Sequence, residues 1–223
     1  MTPTARGDAT LIVFAKAPVS GRVKTRLCPP CTPDQAAAIA HAALVDTLAA
    51  VAATPGVHRV LALDGEPGSW SPAGFDVVPQ TAGDLAARLT GAFACVSGPA
   101  LVIGMDTPQL TPGMLRHAVD TLLSPGVDAV LGRTVDGGWW TLGLRDVRVP
   151  AFTGVPMSTR ETGRHQAARL NSLGLRTRAL EVETDVDTFV DARTVASRIP
   201  TSRFARAVGT VERRLSCELG LPA

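Results

Sequence analysis

Apolar residues fall along the chain in short unbroken runs separated by longer amphipathic stretches, and the two kinds alternate. Thr10-Leu11-Ile12-Val13-Phe14-Ala15 is too short for a helix and reads as a buried strand. Ala100 to Met105 is almost uninterruptedly apolar, as a central parallel strand covered on both faces must be. Val57 to Leu63, Phe75 to Val78, Val127 to Leu131, Trp139 to Leu144 and Arg176 to Val182 predict further strands. Helices are predicted over the Ala-rich run Ala36 to Ala53, over Asp84 to Val96 with Leu85, Leu89 and Phe93 on one face, and over Leu115 to Leu123 after Thr111-Pro112. Another spans Arg160 to Leu173 and stops at Gly174, and two more lie near Thr188–Arg198 and Ser202–Leu219. Thr32-Pro33-Asp34-Gln35 has the chemistry of a helix start: a capping Thr, Pro at the first helical position, and Gln three residues after the cap. Strands alternating with helices predict an α/β fold, three layers α/β/α around a mostly parallel open sheet. With no repeat or clear linker, residues 10–223 are expected to form one domain behind a flexible tail at residues 1–9.

Composition narrows what such a fold can do. Hydrophobic residues are 45% of the 223 and charged residues 19%, enough apolar content for a full core and too little charge for wholesale disorder. The formal net charge is only +2, aromatic residues are 4%, and Tyr is absent. That is not the broad basic face with stacking aromatics of a nucleic-acid binder, so no nucleic-acid partner is expected. No stretch is expected to approach the ~18 apolar residues needed to span a membrane. Met1 to Ala9 is polar, and the apolar run behind it is too short for a signal-peptide core, which predicts a cytoplasmic protein. Cys28-Pro29-Pro30-Cys31 has redox-motif spacing, but Cys95 and Cys217 stand apart from it, so incidental thiols are expected and no four-ligand zinc set. The four His residues are scattered, and no Ser/His/Asp nucleophile arrangement stands out.

Candidate chemistry gathers at the predicted strand ends. The first strand empties into a loop carrying Gly21 and four cations, Lys16, Arg22, Lys24 and Arg26. Backbone N–H groups and cationic side chains can converge on one anion there, although a short basic loop can also simply face water. The loop matches neither G-x-G-x-x-G nor G-x-x-x-x-G-K-[ST]. Asp106, in Gly104-Met105-Asp106-Thr107-Pro108, ends the most buried strand, where a carboxylate can bridge Mg²⁺ to phosphates or else cap a turn. Of Asp185 and Asp187 only one carboxylate is expected to point inward; Asp187 can also cap the helix that follows. Asp136-Gly137-Gly138-Trp139-Trp140 lies between two strands, its glycines suited either to close approach of a ligand or to a tight turn. Gln80-Thr81-Ala82-Gly83-Asp84-Leu85 is a further polar turn that could be only a helix cap.

Taken in order, these motifs resemble those of a GT-A-type family known as domain of unknown function 2064, in the nucleotide-diphospho-sugar transferase superfamily. The resemblance runs from about Leu11 to Val195. The Lys24-Thr25-Arg26-Leu27 segment is also similar to the loop of the guanylyltransferases of coenzyme F420 biosynthesis. The resemblance implies a site dependent on Mg²⁺ or Mn²⁺ for a nucleotide sugar or nucleoside triphosphate, with a small-molecule acceptor. On that analogy Lys16, Gly21, Arg22, Lys24 and Arg26 hold phosphate, Gln80, Gly83, Asp84, Gly137 and Gly138 complete the nucleotide site, Asp106 and Asp187 hold the metal, and Lys24 and Asp106 are catalytic. Ser20 stands where the family commonly has Pro, and the loop carries more cysteines than usual. The family points first to a glycosyltransferase. The residues alone favour a nucleotidyltransferase releasing pyrophosphate, because a triphosphate brings more charge to a dense cationic loop. With the family's lead, a glycosyltransferase using a nucleotide sugar is the first expectation and the nucleotidyltransferase the alternative. A nucleotide-sensing protein without turnover is the third reading.

Overall fold

The computed structural model describes residues 9–218. Strand β1 (Ala9–Lys16) leads through a 3-10 turn at Thr25–Leu27 into α1 (Pro33–Ala52), followed by β2 (Val57–Asp64), β3 (Asp76–Pro79) and α2 (Leu85–Ala94). Next come β4 (Ala100–Gly104), α3 (Pro112–Leu123), β5 (Ala129–Arg133) and β6 (Trp139–Leu144). The chain continues through α4 (Thr162–Ser172), β7 (Thr177–Ala179), α5 (Phe189–Arg198) and α6 (Arg203–Glu218). The expected flexible tail falls on residues 1–8, outside the described residues, and on Ala9, which is not tail but the fully buried first residue of β1.

The seven strands form one sheet in the order β3-β2-β1-β4-β6-β5-β7. Every pairing is parallel except those of β6, which runs antiparallel to both β4 and β5. The sheet is mixed α/β and mostly parallel, as the alternation of elements predicts. The chain winds outward from β1 through β2 to β3, then returns to place β4 on the other side of β1. Loops leaving the carboxyl ends of β1 and β4 therefore diverge, and such a switch point is where open α/β sheets bind ligands.

Burial explains the strand sequences. Leu11, Val13 and Ala15 of β1 face α1 and α3, packing with Leu44, Leu48, Leu115 and Val119, while Ile12 faces the layer of α2 with Leu89 and Phe93. Both faces of β1 and β4 are covered, hence their nearly continuous apolar runs. A third cluster lies outside the sheet, where Ile39 and Ala43 of α1 meet Val195 of α5 and Phe204, Val208 and Val211 of α6.

That outer cluster corrects one expectation. Helix α1 is 20 residues long and contains an 18-residue stretch with a mean hydropathy of 1.4, enough by length and composition to cross a membrane. Its apolar surface is instead taken up on opposite sides by the sheet and by α6, which is why it is apolar nearly all round. The helix starts at Pro33, ahead of the Ala-rich run and at the first helical position that the predicted cap assigns, because that cap is complete: Thr32 accepts from Gln35 N at 3.3 Å, and Gln35 Oε1 accepts from Thr32 N at 2.9 Å. Thr32→Ala should cost about 1 kcal/mol, read as a lower urea midpoint at unchanged m-value. An unchanged midpoint would show that tertiary packing alone sets this end of the helix.

Two boundaries differ more. Thr162 Oγ1 accepts from Thr159 N at 2.9 Å and donates to Pro156 O, and Ser158 has a φ of 59°, so the chain turns through Arg160 and α4 begins at Thr162. Strand β7 covers only three residues of the predicted Arg176–Val182, because after Leu180, whose N donates to Leu131 O at 3.0 Å, the regular pairing with β5 stops, and it resumes at an isolated Thr134–Glu183 bridge.

Candidate active site

At the carboxyl ends of β1 and β4 lies a cleft of about 270 Å³ lined by Lys16, Arg22, Val23, Lys24, Thr25, Arg26, Met105, Asp106 and Asp187. Five of the predicted phosphate or metal residues share this wall with Asp106. They arrive from three parts of the chain, and backbone hydrogen bonds bring those parts together. Val186 N donates to Asp106 O at 2.9 Å, tying the segment after β7 to the end of β4. Glu183 N donates to Arg133 O and Val135 N donates to Glu183 O, both at 3.0 Å, tying the same segment to the end of β5. Val186 is buried, which anchors the aspartates on either side of it.

The cations are not equivalent. Lys24 has left-handed backbone (φ 47°), a conformation that costs a non-glycine residue energy unless its surroundings hold it. Its side chain is only 9% exposed and places Nζ 2.8 Å from Asp106 Oδ1 and 3.6 Å from Asp187 Oδ1, while also donating to Val186 O. Arg26 Nη1 pairs with Asp187 Oδ2 at 2.8 Å from an exposed position. Lys16 and Arg22 are exposed and form no ion pair among the described residues. Gly21 has a φ of 73° with nothing within 4 Å of a Cβ, so glycine serves the loop's turn there rather than a close contact.

The aspartate pair departs from expectation. Residues two apart in an extended segment share a face, and oxygens of Asp136, Asp185 and Asp187 all lie within 4.8 Å of one another. Asp185 is thus turned to the same side as Asp187, not away from it. Burial, then the charges of Asp136, Asp187 and Asp106, push the Asp185 carboxyl up to about 6. Asp136 Oδ1 is held by Thr134 Oγ1 at 2.6 Å and Gly138 N at 2.9 Å. Four carboxylates are within electrostatic reach here, a donor set suited to a hard divalent cation.

Asp136 and Asp185 are acids to which the motifs assign no role. Their signal is nonetheless present in the chain: Asp136 stands just beyond β5 on the same sheet edge as Asp106, and Asp185 is two residues from Asp187. A raised carboxyl pKa favours the fold when protonated, and that contribution is lost as pH rises through about 6. In chelator-treated protein, Asp185→Asn should therefore melt higher than the unsubstituted protein at pH 7–8, with the difference closing below about pH 4. Melting curves that stay parallel across that range would refute the crowding of charge.

The other predicted residues lie outside the cleft lining. Gln80 Nε2 donates to Ala15 O and Ala62 O, both at 2.8 Å, bridging the ends of β1 and β2, and Arg88 donates to its Oε1. Asp84 caps α2 by accepting from Ala87 N at 2.8 Å, with Gly83 before it at φ 118°. Gly137 and Gly138 form a tight turn packed on residues 160–163: Gly163 N donates to Gly137 O at 2.8 Å, and a Cβ on Gly137 would sit 1.8 Å from Arg160 O. All four cysteines are free; burial and the neighbouring Cys28 thiol push the Cys31 thiol up, opposed by Arg214. That is the environment of an inert thiol.

The chain belongs to the family described as "uncharacterized protein conserved in bacteria" (DUF2064), which matches residues 47–159. No curated protein sequence matches it. Among solved structures, it is similar to a provisionally described nucleotide-diphospho-sugar transferase from Desulfovibrio desulfuricans G20, at 22% identity and a TM-score of 0.80, covering 94% of this chain and 95% of that one. It is also similar to a CMP:2-keto-3-deoxy-manno-octonic acid synthetase complexed with CTP, at 14% identity and a TM-score of 0.53, covering 86% and 98%. A third is Rv0371c of Mycobacterium tuberculosis H37Rv in complex with manganese, at 22% identity and a TM-score of 0.50, covering 85% and 98%. At these identities the likeness is one of fold, and the fold is that of the nucleotide-diphospho-sugar transferases.

Proposed function

For a member of this family we propose a transferase that acts on a nucleotide polyphosphate with the help of a divalent cation, joining the nucleotidyl group to a phosphorylated small molecule and releasing pyrophosphate. The observation that carries this reading is the one cleft in which Lys16, Arg22, Lys24 and Arg26 face Asp106 and Asp187. Cations and carboxylates on one wall are what a metal-bound polyphosphate requires, since each phosphate oxygen needs either a cationic side chain or the metal. Asp106 and Asp187, with Asp136 and Asp185 beside them, would hold Mg²⁺ or Mn²⁺. The metal would neutralise developing charge on the phosphates. Arg22 and Lys16 would bind the outer phosphates, Gly21 would let the loop turn around them, and Lys24 and Asp106 would act at the reacting phosphate. Gln80, Gly83 and Asp84 would stand towards the base, and the Gly137–Gly138 turn would set Asp136 at the metal. Phosphoryl chemistry runs largely on positioning and electrostatics, so a site without an activated nucleophile suffices.

Glycosyl transfer is the second reading, favoured by the sugar-transferase description of the Desulfovibrio neighbour. Asp185, with its carboxyl pushed up to about 6, would suit a base for an acceptor hydroxyl. The products separate the two. Purified protein with Mg²⁺ or Mn²⁺, a panel of nucleoside triphosphates and nucleotide sugars, and mixed phosphorylated acceptors is expected to release pyrophosphate. Release of a nucleoside diphosphate from a nucleotide sugar instead would establish glycosyl transfer and discard the first reading.

A further inference from the structure

Lys24 stands where a cation would. Its ammonium is the charge that compensates Asp106 at 2.8 Å and Asp187 at 3.6 Å, and its third contact is the carbonyl of Val186. At 9% exposure the side chain has little water to retreat into. A bare divalent ion entering between these carboxylates would have to displace the ammonium. The nearby anions beyond Asp106 and Asp187, which are Asp136 and Asp185, belong to the same carboxylate cluster that the ion would occupy, and the remaining charged groups of the cleft lining, Lys16, Arg22 and Arg26, are all cationic. Expelling a buried ammonium towards like charges is costly unless a new anionic partner arrives at the same moment.

We infer that the site admits its divalent cation only as a complex with a polyphosphate, and that Lys24 is the residue enforcing this. The metal takes over Asp106 and Asp187, and the phosphate arriving with it takes over the Lys24 ammonium. Once the exchange is complete, the ammonium, Asp106 and Asp187 each have a partner again. Lys24 thereby couples the two ligands, and by linkage each must raise the affinity for the other by the same factor. The inference rests on the polyphosphate reading above and adds to it what the ligand is: a metal–polyphosphate complex, not a metal site later joined by a nucleotide.

Mn²⁺ and inorganic tripolyphosphate test this without knowledge of the base or acceptor. Thermal melting and calorimetry of the unsubstituted protein should give a larger stabilisation from the two together than the sum of each alone, a coupling of ~10-fold or more in affinity. In Lys24→Met, Mn²⁺ alone should bind ~10-fold tighter than in the unsubstituted protein and tripolyphosphate should no longer enhance it. Adding Asp106→Asn to that variant should remove the gain. If Lys24→Met binds bare Mn²⁺ no tighter, the gatekeeping role is overturned while the polyphosphate reading stands. If no combination of metal and tripolyphosphate stabilises any of the proteins, the polyphosphate reading itself falls. Should Lys24→Met fail to fold, the unsubstituted protein decides alone, since purely additive effects of the two ligands overturn the inference.

Discussion

Asp106→Asn is expected to abolish metal-dependent stabilisation by nucleotides, with apparent metal affinity falling by about 100-fold or more, while the protein stays folded. Substituting even outer-shell partners of a metal costs roughly 10–100-fold in affinity, and Asp106 is proposed as a direct ligand. An amide of the same size is a poor Mg²⁺ ligand. The fold should survive because what Asp106 contributes to it is backbone: its carbonyl accepts from Val186 N at 2.9 Å, and asparagine keeps that bond. Its carboxylate is 39% exposed, so losing that charge uncovers no buried partner other than Lys24, which keeps Asp187 and the Val186 carbonyl. Equilibrium dialysis with Mn²⁺ in the presence of tripolyphosphate, alongside circular dichroism, reads both halves. A folded variant with unchanged metal affinity would remove Asp106 from the site.

Gly137→Ala should be among the most damaging single methyl additions in the chain. The new Cβ would fall 1.8 Å from the Arg160 carbonyl oxygen, and the residue has a φ of 96°. The left-handed backbone and the overpacking together should cost about 3 kcal/mol or more, because the obstructing atom is main chain and cannot rotate away. The turn also fixes Asp136 through Gly138 N, so metal binding should weaken along with stability. Gly21→Ala is the control. Its φ of 73° is also left-handed, but a Cβ there meets nothing within 4 Å, so only a conformational cost of about 1 kcal/mol applies. Urea denaturation of the two variants compares them directly. Equal, small losses would mean that the 137–138 turn does not pack on residue 160 as described.

These two positions mark where sequence is most and least informative about the site. Asp106 is legible because its carboxylate closes an apolar run of strand length, which puts it at the sheet edge where α/β folds bind ligands. The glycines at 137 and 138 are legible as important but not in kind. Sequence alone does not tell a backbone that approaches a ligand from one that approaches Arg160, since both demand the absence of a side chain. Asp185 is the expectation that fails: opposite orientations hold for neighbours in an extended segment, whereas residues two apart share a face. Asp136 stands out only as a neighbour of glycines, because its partners in the cluster lie some fifty residues further on.

By itself the sequence determined the succession of strands and helices, the burial of β1 and β4 on both faces, the cap of α1 and the presence of a cationic loop after the first strand. These follow from local periodicity and short-range hydrogen bonding, which a chain carries with it wherever it folds. Only the tertiary structure decided that β6 runs antiparallel, that α1 is enclosed between the sheet and α6 rather than free for a membrane, and that four aspartates converge beside Lys24. The last depends on bonds from Val186 N to Asp106 O and from Glu183 N to Arg133 O. Those contacts join residues far apart in the chain. Their positions are set by sheet order and packing, which no local pattern records.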